Sequence, residues 1–322
     1  MTEDDIKVWT EQETVAMREH GDKLNIYNVN LEKAPSMGDI RLLLATEERQ
    51  SPNEKGRVLE SGTVTWLSTG INIEKTQDDI QVMAKHLTKR SSTTNKNSVE
   101  TKRNLLQKRI DGFHNRAMAL LDDEDIEHLE ISSNEVADEE GWTMEDVEEN
   151  PEDIEEEVLP ENITLLLPSS LGIEQCKTVG WESIAQQELQ LRVGQANDCL
   201  EDLRLLLGHK SLLFRTKFRH NKSQWHKTRN AAELRKIGQQ ERKIIRRYKR
   251  ARKALICLGA SEQLLTRYLD IQKEDTKMPG DIVEENRVGQ RNDRLAWFWK
   301  LGGENARNAR GESVDNNTED VG

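Results

Sequence analysis

Apolar residues in this chain recur at three- and four-residue steps, the spacing that gathers them on one side of an α-helix, with little of the alternation of a half-buried strand. The clearest run is Val99, Leu106, Ile110, Phe113, Ala117 and Leu120, where Arg103 is the one polar member of the stripe. Three helical segments precede it. The first passes through Ile6, Trp9 and Met17, is interrupted by Gly21 and ends before Pro35. The second opens at "SMGD", where Ser36 and Asp39 stand at capping-box spacing, and continues as "IRLLLATEER". After the loop "SPNEKGRVLESG" a third runs from Val64 to Leu87 with Leu67, Ile80 and Ala84 on its stripe, and the polar turn "RSSTTNKN" leads into the fourth.

Further along, "NITLLLPSSLG" reads as a short apolar connection broken by Pro168 and Gly172. Leu189, Val193, Ala196, Leu200, Leu203 and Leu207 then resume helical spacing, which Lys210 interrupts and Phe214 continues. Beyond the polar crossing "RHNKSQWHKTRN" comes a heptad-like series, Leu234, Ile237, Ile244, Tyr248, Ala251, Leu255 and Leu258, with Glu241 as the polar exception. About 25 residues at about 1.5 Å each make a rod near 37 Å. The two rods most simply pack as an antiparallel hairpin or coiled coil. A shorter helix, "SEQLLTRYLDIQKE", precedes the breaker "MPGD", and a last one leads into "RLAWFWKL". The tail after Gly302, rich in Asn, Gly and charge, is expected to be disordered.

The fold class that follows is all-α: long helices with little or no sheet. With 33% charged, 34% hydrophobic and 4% aromatic residues, the chain has too little apolar bulk for a wide two-layer core. Charge is segregated beneath a net −12. Residues 122–161 hold twenty Asp or Glu and no Lys or Arg, the composition of a disordered linker. Residues 204–253 hold eighteen Lys or Arg against Glu233 and Glu241. The expected organisation is a helical unit at 1–121, an acidic linker at 122–161, a basic helical hairpin at 162–301 and a tail at 302–322.

With Tyr248, Ala251 and Leu255 turned inward, Arg242, Lys243, Arg246, Arg247, Lys249, Arg250 and Lys253 occupy the outward positions of the last rod. Arg242/Arg246, Lys243/Arg247 and Arg246/Arg250 stand four apart, where like charges cost a helix roughly 0.2–0.5 kcal/mol each. Such a face suits a polyanion, because each cation that neutralises a phosphate releases counterions without reading sequence. Trp225, in the basic crossing, adds an aromatic. The alternative is a basic coiled-coil surface or a nuclear-localisation run.

Other chemistry is sparse. There is no phosphate-binding glycine loop, HExxH, nucleophile elbow or paired-cysteine motif. Cys176, Cys199 and Cys257 each fall among helical core positions, which makes them structural thiols. The seven His are scattered, and His220 and His226 are six apart, so they face different sides of a helix. No catalytic residue, metal site, cofactor or small-molecule substrate is expected. "MTEDDIKVW" is acidic where a secretory leader is basic and then apolar, and no stretch approaches a membrane span. The expectation is an intracellular protein, nuclear rather than cytoplasmic, so the acceptor patterns at Asn162 and Asn221 carry no meaning.

The ordered series "MGDIRLLLATEE", "NLLQKRIDGFH", "LPSSLG", "LEDLRLLLGHKSLL", "YKRARKALICLG" and "RLAWFWKL" resembles the C-terminal region of the Kyakuja-Dileera-Zisupton (KDZ) transposases over roughly residues 30–120 and 162–301. In that family a cysteine cluster and a catalytic core of RNase H-like type lie upstream of such a region. The resemblance therefore implies a transposase remnant, a domesticated C-terminal fragment or a truncated gene model; joined to the heptad series and the basic face, the expectation is a non-catalytic protein that self-associates and binds nucleic acid without sequence preference. Two alternatives stand beside it: a truncated gene model of an active transposase, and a coiled-coil scaffold with no nucleic-acid role.

Overall fold

Ser36 and Asp39 close the capping box that their spacing predicts. The Ser36 N–H donates to Asp39 Oδ2 at 2.9 Å and the Asp39 N–H to Ser36 Oγ at 3.1 Å. With two N-terminal donors satisfied, helix α1 runs Met37–Gln50. The computed structural model describes residues 34–50, 62–88, 90–119, 159–214, 216, 224–277 and 296–301, and isolated positions 7, 8, 10, 11 and 14. After α1 come α2 (Thr63–Lys85), α3 (Thr93–Ala119), a 3₁₀ turn at Pro160–Asn162, α4 (Pro168–Leu171), α5 (Ile173–Thr178), α6 (Glu182–Leu213), α7 (Gln224–Cys257), α8 (Glu262–Arg267) and a second 3₁₀ turn at Trp297–Lys300. Among the described residues there is no strand, so the class is all-α.

The chain divides into two compact units. One comprises Met1–Lys33 with Gly302–Gly322. In it Thr14 Oγ1 donates to Thr10 O at 2.7 Å, a bond of helical spacing; the rest of the predicted first segment, and the tail, lie outside the described residues. The other unit is Ala34–Leu301.

In the larger unit α2 is the central helix. Leu67 and Ile80 are buried as their spacing predicts, but so are Val64, Trp66, Ile71, Ile73, Ser68, Glu74, Gln77 and Asp78, because α1, α3, α6, α7 and the first 3₁₀ turn surround it. Gly70 sets the closeness: a Cβ there would stand 2.8 Å from the Phe113 ring and 2.9 Å from Leu167. Trp66 stacks on Phe113 with centroids 5.0 Å apart and meets Trp181 edge-on at 5.8 Å.

On α3 the predicted stripe Val99, Leu106, Ile110, Phe113 and Ala117 is buried, while Leu120 lies outside the described residues. Arg103, the polar member, donates from Nε to Glu161 Oε1 at 2.9 Å. The acidic run therefore ends in structure rather than in linker, since Glu161 is buried and sits in the 3₁₀ turn. Gln77 Nε2 fixes that turn by donating to Pro160 O at 3.0 Å and Ile163 O at 2.7 Å. Residues 122–158 lie outside the described residues. Pro168 does not break the connection: it opens α4, at a position where its missing N–H costs no intrahelical bond.

The expected separation into units at 1–121 and 162–301 does not appear in the packing. Leu44, Leu67 and Phe113 share one core with Leu167, Trp181 and Leu191. The stripes of α2 and α3 find their partners in the second half of the chain.

Helices α6 and α7 form the predicted antiparallel hairpin. Ala196, Leu200 and Leu203 share a second core with Tyr248, Ala251 and Leu255. Lys210 and Glu241, the polar interruptions of the two series, meet across it at 2.8 Å. Of the predicted packing residues Ile237, Tyr248, Ala251, Leu255 and Leu258 are buried, whereas Leu234 and Ile244 are half-buried. Ile245 and Ala254 are buried as well, because α7 touches α2 and α4 in addition to α6. Helix α8 is capped by Ser261, Leu264 N–H donating to Ser261 Oγ at 3.3 Å, and ends at Arg267 rather than running through "QKE". Tyr268 leaves the helix to place its hydroxyl on Asn197 Oδ1 at 2.7 Å.

Candidate functional site

The seven basic residues proposed as outward contacts are all half-buried, none exposed. One turn-repeat of α7 carries Lys243, Arg247 and Arg250 toward α2, where Glu74, Asp78 and Asp79 lie on the facing side. Lys243 Nζ stands 2.6 Å and Arg247 Nη2 2.7 Å from Asp79 Oδ1. Arg250 Nη1 donates to Glu74 O at 3.1 Å. Its Nη2 is 2.9 Å from Asp78 Oδ1, a Coulombic contact whose angle leaves that oxygen without an aligned donor.

Two further basic residues of α7 meet the segment after α8. Lys249 is 4.0 Å from Asp270, and Arg252 Nε donates to Tyr268 O at 2.9 Å. Burial holds the Asp78 carboxyl above the usual range even though Arg250, Arg246 and Arg247 pull it down. Three of the seven residues that read as a solvated polyanion face, Lys243, Arg247 and Arg250, thus line an interhelical seam. Like charges along α7 are relieved across helices rather than along one.

Behind the seam lies a network that the spacing of apolar residues does not reveal. Arg192, fully buried on α6, spends all five N–H donors. Its Nη1 reaches Glu74 Oε2 at 2.5 Å and Gln195 Oε1 at 3.0 Å; its Nη2 reaches Glu74 Oε1 at 3.0 Å and Ser169 Oγ at 3.3 Å; its Nε reaches Glu188 Oε1 at 2.9 Å. Ser169 completes the circuit, donating its N–H to Glu188 Oε2 at 2.8 Å and its hydroxyl to Glu188 Oε1 at 2.7 Å. Burial raises the Glu188 carboxyl, opposed by Arg192 and Ser169. Burial also works against the charge on Arg192, but Glu74 and Glu188 hold it protonated. The network ties α2, α4 and α6 together, and its acid groups are sealed and bonded.

Burial pushes the thiols of Cys176 and Cys199 up to about 12, while Cys257 is half-buried. Of the other singled-out residues, His220 lies outside the described residues, as do the side chains of Trp225 and His226. Among the described residues no group of three or more His, Cys, Asp or Glu is placed to hold a metal ion, and no helix is long and apolar enough to cross a membrane. The signal that could have located the seam is the acid spacing in "IEKTQDD", which puts Glu74 and Asp78 four apart, with Asp79 beside them, on one side of the helix. No family model, no curated protein and no solved structure matches the chain.

Proposed function

We propose that this chain is a non-catalytic helical scaffold that works by associating with copies of itself, of the transposase-derived kind to which its sequence resemblance points. The observation that supports this most is the destination of the α7 cations. Lys243, Arg247 and Arg250 spend their charge on α2, holding the fold together. Meanwhile large apolar residues face outward: Leu205 and Leu212, one heptad apart on α6, are 65% and 57% exposed, with exposed Gly208 and His209 between them. Apolar residues grouped on one exposed face suit a protein contact, and a second copy is the occupant assigned here. Light scattering across a concentration series tests it. Assembly that weakens in Leu205→Ser/Leu212→Ser is expected, and a monomer at every concentration overturns the reading.

Nonspecific polyanion binding is the second reading, favoured by one count: three cations, Lys243, Arg247 and Arg250, share two carboxylates, Asp78 and Asp79 on α2, since the Glu74 carboxylate is held by Arg192. On this reading Asp78→Asn/Asp79→Asn releases cations and tightens duplex DNA binding, with log K falling against log salt by about 0.9 per phosphate neutralised. The scaffold reading expects little binding from either form at about 200 mM salt.

A further inference from the structure

The segment "AWFWKL", residues 296–301, sits on the α6–α7 hairpin through a small set of anchors. Phe298 is fully buried in the hairpin core, with Ala296, Trp297 and Leu301 packed partly against it. Arg204 grips the backbone at the same residue, donating from Nε and Nη2 to Phe298 O at 3.0 and 2.6 Å. Glu201 aims that guanidinium, its Oε2 lying 2.9 Å from Arg204 Nη1. The Trp297 ring lies against Tyr248 with centroids 6.1 Å apart.

The seat is held by bonds that do not involve its occupant. Tyr248 Oη donates to Leu269 O at 2.6 Å, Arg252 Nε to Tyr268 O at 2.9 Å, and Tyr268 Oη to Asn197 Oδ1 at 2.7 Å. A seat braced by its own bonds, with an aromatic anchor and an arginine clamp, has the features that concentrate binding energy in a short peptide. The occupant's fit is incomplete, for the Trp297 indole Nε1 is buried and finds no acceptor among the described residues. An occupant held by few anchors, with one donor unmet, is one that can be exchanged. Residues 278–295 join it to the rest of the chain, and eighteen residues can span about 60 Å at full extension.

We infer that the α6–α7 seat is a docking site for an aromatic peptide, that Ala296–Leu301 is its occupant, and that a second copy of the chain delivers its own segment there in exchange. Exchange of an identical element reuses every contact of the single chain and needs no new surface, which makes it a low-cost route to a symmetric dimer. The inference rests on the self-association reading and adds a second contact, distinct from the Leu205/Leu212 face, through which copies associate.

Complementation tests it on full-length chains. Phe298→Ala keeps the seat and spoils the segment; Arg204→Ala keeps the segment and spoils the seat. An equimolar mixture of the two, each checked for helix content by circular dichroism, should form a heterodimer that neither variant forms alone, and excess AWFWKL peptide should dissolve it. No heterodimer, or one that the peptide leaves intact, overturns the inference. A second measurement keeps the wild-type fold: labelled AWFWKL peptide should bind the wild-type chain, and at least tenfold more weakly the Arg204→Lys variant, which keeps the charge and loses the fork. Equal binding to both, or to neither, overturns it too. Wild-type assembly that persists when complementation fails leaves the scaffold reading standing by another contact, whereas a wild type that stays monomeric while the variants complement overturns that reading and not the docking site.

Discussion

Arg192 shows how one residue can matter through what it leaves behind. Its five donors satisfy two buried carboxylates, a hydroxyl and an amide drawn from three helices. Arg192→Met removes the only counter-charge that Glu74 and Glu188 share among the described residues, and breaking one partner out of a buried ion network costs about 3–5 kcal/mol. Denaturant unfolding should show a loss of that order. By contrast Lys177→Gln, which breaks an exposed pair with Glu174, should shift stability by about 0.5 kcal/mol or less.

The pH dependence has a definite sign. A buried carboxyl whose folded pKa is raised contributes stability fully below its unfolded pKa, near 4.3, and loses it as pH rises through the folded pKa. Burial already raises Glu188, and removing Arg192 removes the main force opposing that rise. The deficit of the variant should therefore shrink between about pH 7 and about pH 5, and a deficit independent of pH would place the cost elsewhere. None of this was visible in the apolar spacing, since Arg192, Glu188 and Glu74 occupy positions that read as ordinary polar faces.

At the scale of single helices, the same substitution should have opposite signs at two glycines of α6. A Cβ at Gly194 would stand 2.6 Å from Met37 Cα and 2.8 Å from Met37 N, because the start of α1 crosses α6 there. The crossing is fixed by Met37 N–H donating to Asp198 Oδ2 at 3.1 Å and Asn197 Nδ2 to Pro35 O at 2.9 Å. Gly194→Ala must push backbone away from backbone, and overpacking of this kind costs about 1–3 kcal/mol. A Cβ at Gly208 meets nothing within 4 Å. Gly208→Ala should instead stabilise by about 0.5–1 kcal/mol, the usual helix-interior difference. Parallel thermal melts of the two variants measure both signs, and a loss of equal size in each would mean that α1 does not cross where described.

The hairpin, the capping box and the α3 stripe were legible because each rests on local spacing. Lys210 and Glu241 were visible as interruptions, but their pairing needs the register of two helices. The end of α8 was misjudged because Tyr268 leaves the helix for a bond to Asn197, seventy-one residues away in sequence.

At the scale of the whole chain, composition and packing divide the molecule differently. The run of acids at 122–161 looks like a boundary because like charges that dense resist burial. Yet Glu161 at its end is buried against Arg103, and Gln77 of α2 holds the turn that follows. The helices before the run and those after it share the core around α2, which would keep α1 and α3 but lose its cover from the 3₁₀ turn, α6 and α7 if the second half were removed. A protease site placed within residues 122–158 should therefore be cut without separating the halves. The two fragments should co-elute, and the nicked protein should melt in one cooperative transition, since the core around α2 is built from both halves. Fragments that elute separately, each with its own helical signal and its own transition, would restore the division into two units. The outcome also bears on the basic helix, because α2 carries the aspartates that face α7. Fragments that stay together keep those cations occupied, whatever the acidic run does.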